Sequence, residues 1–114
     1  MSKTQALNIL HIINNNPLHI VLVVEFNNEI VAASTLILEP KFIHDGKYVG
    51  HIEDVVVHPK HRHKKIGSML INELLQYAKR NNCYKTILNC EESMKLFYEK
   101  LGFRNVQFSM RLDY

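Results

Sequence analysis

Apolar positions fall into blocks whose spacing changes along the chain. Ala6, Leu7, Ile9, Leu10 and Ile13 recur at helical offsets, which predicts a short amphipathic helix over residues 4–14, ended by Asn14-Asn15-Asn16-Pro17. His19 to Phe26 (HIVLVVEF) is β-branched and almost continuously apolar, the pattern of a buried strand. Asn27-Asn28 is a hairpin turn signal, so residues 29–38 should return antiparallel to it. A polar connection over residues 39–50 carries the breakers Asp45-Gly46, and His51 to Val57 (HIEDVVV) reads as a third strand stopped by Pro59. Ile66, Leu70, Leu74 and Ala78 then mark one face of a helix, with Asn72, Glu73, Gln76, Lys79 and Arg80 on the other. Lys85 to Asn89 is a short strand. Met94, Phe97, Tyr98 and Leu101 lie at i, i+3, i+4 and i+7 before a stop at Gly102. Val106 to Leu112 alternates as a last strand. The expected order is α-β-β-β-α-β-α-β: one domain over residues 1–114, of α/β class, with helices packed on a mixed sheet.

With 114 residues, 46% of them hydrophobic and 22% charged, the chain has a globular rather than a disordered composition. No apolar run reaches the roughly 18 residues of a membrane span. Met1-Ser2-Lys3-Thr4-Gln5 lacks the charged-then-apolar pattern of a secretory leader. A soluble, cytoplasmic protein without a membrane partner is expected. Cys83 and Cys90, seven apart in apolar surroundings, fit no common zinc or redox motif and are expected to be small buried hydrophobes.

The net charge of +3 matters through its distribution. His58-Pro59-Lys60-His61-Arg62-His63-Lys64-Lys65 holds four fixed positive charges, three histidines and no acid. It joins a strand to a helix, and the first turn of a helix presents unpaired N–H groups and a partial positive charge. Arg62, Lys64 and Lys65 add cations there, and Gly67 permits close approach of a ligand to the backbone. A solvated basic loop explains the same residues without a ligand. A nucleic-acid interface is not expected, since the patch is short and lacks interleaved aromatics. Nor is a metal site at His58, His61 and His63, which no nearby carboxylate or thiol joins.

Arg62-His63-Lys64-Lys65-Ile66-Gly67 resembles the pyrophosphate-binding loop of the GNAT N-acetyltransferases, Q/R-x-x-G-x-G/A. Around it HIEDVVV, NCYK, FYEKLGF and KFIH resemble the branch that acetylates glucosamine 6-phosphate, with consistent spacing from about Lys41 to the C-terminus. The resemblance implies an acetyl-CoA-dependent transferase that needs no metal and works as a homodimer on an amino-sugar phosphate. It implies that Val55, Val56 and Val57 bind the pantetheine arm as though it were a strand, and that His63, Lys64, Lys65, Ile66, Gly67 and Ser68, beside Arg62, hold the pyrophosphate. Asn89 matches a further cofactor-side position, and Tyr98 the tyrosine beside the leaving sulfur. Lys41, Phe42, Ile43, His44, Glu53, Asp54, Tyr84 and Lys85 match acceptor-binding positions.

The residue chemistry is compatible with this. Val55 can offer a backbone N–H to a developing oxyanion. Tyr98 can give a proton to sulfur, although an aromatic on that helix face is also ordinary core. Glu53 or Asp54 can orient the amine or relay its proton; the sequence does not separate them as catalytic groups. Four departures stand out. Lys65 replaces the first loop glycine, at a cost of about 1 kcal/mol or more if the position needs a positive φ. Asn89 stands where the family has a carboxylate. Asp113 stands where the family's final strand has a phosphate-binding arginine; either Arg111, about 7 Å away on the same strand face, takes its place in binding the acceptor, or the acceptor carries no phosphate. The family also begins with a strand and a helix ahead of what reads here as residues 4–14, so an altered acceptor half is expected. Another amine acceptor and a non-catalytic CoA-binding remnant remain open alternatives.

Overall fold

The computed structural model describes residues 1–114. Its elements are α1 (Lys3–Asn14), β1 (His19–Phe26), β2 (Glu29–Pro40), β3 (Tyr48–Val57), α2 (Ile66–Arg80), β4 (Cys83–Ile87) and α3 (Lys95–Lys100), with short 3-10 turns between some of them. The first helix starts where the Ser2 hydroxyl accepts from Gln5 N–H and the Gln5 side chain accepts from Ser2 N–H, a reciprocal cap that satisfies two otherwise orphan donors. Asn27 and Asn28 both take positive φ, the geometry a two-residue hairpin between β1 and β2 demands.

The sheet has the order β1-β2-β3-β4, antiparallel except for the parallel β3–β4 pair that α2 crosses over. Side chains alternate between its faces. On one face Leu36, Leu38 and Ile52 pack with Ile71, Leu74 and Ala78 of α2 and Tyr98 of α3 as the main core. Burying a leucine this fully stabilises the fold by roughly 1.5–3 kcal/mol relative to leaving it in water. Gly50 is what lets β4 close up here. A Cβ at that position would lie 3.0 Å from Thr86 Oγ1 and 3.2 Å from Leu36 Cδ1, too near for an easy fit.

Three expectations fail. His19–Phe26 is a strand but not a buried one: β1 is the edge of the sheet, paired only with β2, and Val21, Val23 and Phe26 are exposed. The segment over residues 106–112 forms no strand in this chain: Val106, Phe108, Met110 and Leu112 are exposed at 62%, 100%, 94% and 77%. Alternation prepares a face for burial, but a strand also needs an edge to pair with, and the arm after Phe103 joins none. Cys90 is exposed and only Cys83 is partly buried, because Cys90 lies past the end of β4. Gly102, in contrast, stops α3 as expected, with φ at 101°.

Candidate active site

The site begins with a fault in β3. Thr35 pairs with Glu53 and Ala33 with Val56, so Ser34 alone faces both Asp54 and Val55, a bulge. Asp54 absorbs the extra residue with φ at 53°. Ser34, almost wholly buried, donates its hydroxyl to the Glu53 carbonyl at 3.2 Å and pins the distortion. On the other side, pairing with β4 ends at His51–Ile87 while β3 runs on to Val57. The two parallel strands therefore part beside Val55, Val56 and Val57, which keep an unpaired edge toward β4.

The basic loop closes one end of this opening. Arg62 Nε donates to the Val57 carbonyl at 3.3 Å, and Lys64 Nζ lies 6.0 Å from the centre of the Phe26 ring. Lys65 caps α2 in the left-handed region, φ 61° and ψ 15°, with no side-chain cap and no acid in the first turn. His63 is left-handed too. Nothing within the chain neutralises the α2 N-terminus, so the N–H groups of Ile66, Gly67 and Ser68 remain available to an anion. A Cβ on Gly67 would meet only Phe97 and Val57 side chains at 3.4 Å and 3.7 Å, so its packing tolerates more than glycine. Donors, cations and the free strand edge fit a long anionic ligand such as acetyl-CoA.

Tyr98 sits on the α2 face, 7% exposed, its ring edge-on to Phe97 and Phe103. Burial pushes its phenol above the ordinary value, and a charge on nearby Cys90 adds to this. The phenol thus stays protonated and able to donate. Tyr98, Asn89 and Cys90 share a groove of about 1040 Å³ that runs along β4 to Phe108.

Register places two of the acceptor candidates, Glu53 and Lys85, on the opposite face. Thr35, Ile37 and Glu39 of β2 alternate with the core residues and pair with Glu53, His51 and Val49, while Lys85 and Ile87 pair with Val49 and His51 from β4. Glu53 and Lys85 therefore share one face, joined to the Tyr98 face by the opening between β3 and β4. Near the start of β4, at the paired end of these strands, His44 stacks on Tyr84 with ring centres 3.9 Å apart, and Lys85 Nζ lies 5.6 Å from the Tyr84 ring. Lys41 binds Glu39 at 3.0 Å. Phe42 and Ile43 project from the loop, largely exposed. Arg111 is not brought to this cluster; on the exposed arm its guanidinium is paired with Asp113 at 3.0 Å and 3.2 Å.

Glu39 and His51 do not figure among the sequence candidates, yet they meet here at 2.9 Å. The signal was present as a charge at an alternating strand position, but only the β2–β3 register brings the two together.

A family model described as Acetyltransferase (GNAT) family matches residues 2–103. The chain belongs to the GNAT acetyltransferases. Within that family it is 48% identical over 84 residues to the glucosamine 6-phosphate N-acetyltransferase of Trypanosoma brucei brucei, covering 74% of this chain and 57% of the relative. It is 39% identical over 85 residues to the Schizosaccharomyces pombe protein of the same name, covering 75% and 77%. The crystal structure of glucosamine-6-phosphate N-acetyltransferase from Arabidopsis thaliana superposes with a TM-score of 0.94 at 31% identity, over 99% of this chain and 79% of that one. The chain thus spans a little over half the length of the Trypanosoma relative. The mixed α/β architecture is the GNAT fold.

Proposed function

We propose that this GNAT domain transfers the acetyl group of acetyl-CoA directly to the primary amine of glucosamine 6-phosphate in a ternary complex. The observation that carries it is the parting of β3 from β4 beyond His51–Ile87, set beside the uncapped N-terminus of α2. The substrate follows the relatives of that name.

Acetyl-CoA supplies the activated acyl group. His63, Lys64, Lys65, Ile66, Gly67 and Ser68, with Arg62, hold its pyrophosphate, and the open edge of Val55, Val56 and Val57 takes the pantetheine. The Val55 N–H donates to the negative charge that develops on the acyl oxygen. Glu53 and Asp54 orient the amine on the acceptor face, with Asn89 at the end of β4, where an amide replaces a carboxylate. Tyr98, protonated because it is buried, gives its proton to the departing sulfur. Lys41, Phe42, Ile43, His44, Tyr84 and Lys85 form the acceptor wall. The reading uses no metal and no nucleic-acid or membrane partner. No helix is long and apolar enough to cross a bilayer, and two free cysteines suit a reducing cytoplasm.

A homodimer belongs to the same proposal. The apolar arm of Val106, Phe108, Met110 and Leu112 needs an edge, and a second copy supplies one. Arg111 would reach the neighbour's acceptor on that arm. Its pairing with Asp113 favours a second acceptor reading, an unphosphorylated amino sugar, because the guanidinium is already engaged.

Cofactor capture is testable by melting. Acetyl-CoA should raise the melting temperature by mass action, and Lys64→Glu should reduce the rise, most at low salt. No shift at saturating acetyl-CoA, on protein shown to be folded, would contradict the assignment.

A further inference from the structure

We infer that His51, held by Glu39, is a general base that removes the proton from the acceptor amine. The inference rests on the transferase reading above and adds a residue pair to it.

The imidazole Nε2 lies 2.9 Å from Glu39 Oε1, and Lys41 Nζ lies 3.0 Å from Glu39 Oε2. A carboxylate only accepts, so Nε2 must carry the hydrogen and Nδ1 is left as the acceptor. Nδ1 makes no hydrogen bond within the chain. The hydrogen bonds from His51, first, and from Lys41 hold the Glu39 carboxyl below its ordinary value, so it stays ionised and able to stabilise an imidazolium. In register His51 lies between Ile37 of β2 and Ile87 of β4, and its Nε2 reaches diagonally to Glu39, whose strand partner is Val49.

Glu53 follows two residues later on the same face, and β3 and β4 part just after His51. His51 is thus the last paired residue of β3 before the opening through which, on this reading, the acyl carbon is reached. Other titratable groups near this face are Lys85 of β4, whose strand partner is Val49, His44, stacked on Tyr84 near the start of β4, and His19 of β1, whose strand partner Ile37 separates it from His51.

The protons balance. The acceptor arrives as an ammonium; His51 Nδ1 takes one proton and later returns it to solvent. The free amine forms the C–N bond as the C–S bond breaks. The second nitrogen proton passes to water as the thiolate takes one from Tyr98, and water reprotonates Tyr98, so one proton in all goes to solvent. Glu39 touches no substrate and is a positioning residue.

The test is the pH dependence of kcat and kcat/KM for thiol release from acetyl-CoA with glucosamine 6-phosphate, in the wild-type chain, His51→Gln, Glu39→Gln and Glu39→Asp. Melting with acetyl-CoA is read on each preparation. We expect His51→Gln to bind acetyl-CoA normally, to lose about 10²-fold or more in kcat/KM, and to lose the limb that titrates in the histidine range, leaving only that of the amine. Glu39→Gln should lose less, in kcat rather than KM, and Glu39→Asp should restore part of the loss. If His51→Gln does not fold, a Glu39→Gln kcat equal to wild type overturns the pairing. A His51→Gln profile matching wild type overturns the inference while leaving the transferase intact. A wild type that melts higher with acetyl-CoA yet acetylates no amine overturns the underlying reading and the base with it.

Discussion

Two residues concentrate what this fold asks of individual side chains. Tyr98 is core by its 7% exposure and a candidate acid by its place at the groove beside Asn89. Tyr98→Phe separates the roles, because it keeps the ring and removes only the hydroxyl. Turnover should fall about 10–10⁴-fold while the melting temperature and acetyl-CoA affinity change little. Normal turnover with chemistry rate-limiting would leave Tyr98 as packing alone. Lys65 was legible as an intruder at a glycine position, and its φ of 61° is the strain that substitution implies. Lys65→Gly relieves roughly 1–2 kcal/mol of left-handed backbone strain but adds about 0.5–1 kcal/mol of unfolded-chain freedom. A net stabilisation of about 1 kcal/mol or less is expected in denaturant unfolding, with weaker, less salt-sensitive acetyl-CoA binding. A destabilised variant would mean that contacts of the lysine stem outweigh the strain.

The elements themselves were legible where pattern and local chemistry agree. His19–Phe26 begins and ends as read, and α2 starts at Ile66 because the basic loop cannot continue a strand past Pro59. What sequence could not show is pairing. The bulge opposite Ser34, the parting of β3 from β4, and the meeting of Glu39 with His51 all depend on register, which no single strand carries. The C-terminal arm failed for the same reason in reverse. Its alternation over residues 106–112 is real, but the arm pairs with no strand of the sheet. We predict that light scattering at micromolar concentration reports a dimer, and that Phe108→Asp with Met110→Asp shifts it toward monomer. A monomer in the wild-type chain would leave the arm without a proposed partner.

Across the whole molecule, the sheet works as a partition. The core face carries Tyr98 and the α2 N-terminus; the other carries Glu53, Lys85 and the Glu39–His51 pair; one gap between parallel strands connects them. Such an arrangement lets an amine approach an acyl carbon from one side while the leaving group departs toward a proton donor on the other. The most direct measurement is release of free thiol from acetyl-CoA with glucosamine 6-phosphate, with glucosamine, and with no amine, on protein shown to be folded. The account predicts release that depends on an amine and is matched by an equal amount of N-acetylated product. Thiol released at the same low rate with and without amine, from a chain that still melts higher with acetyl-CoA, would contradict it.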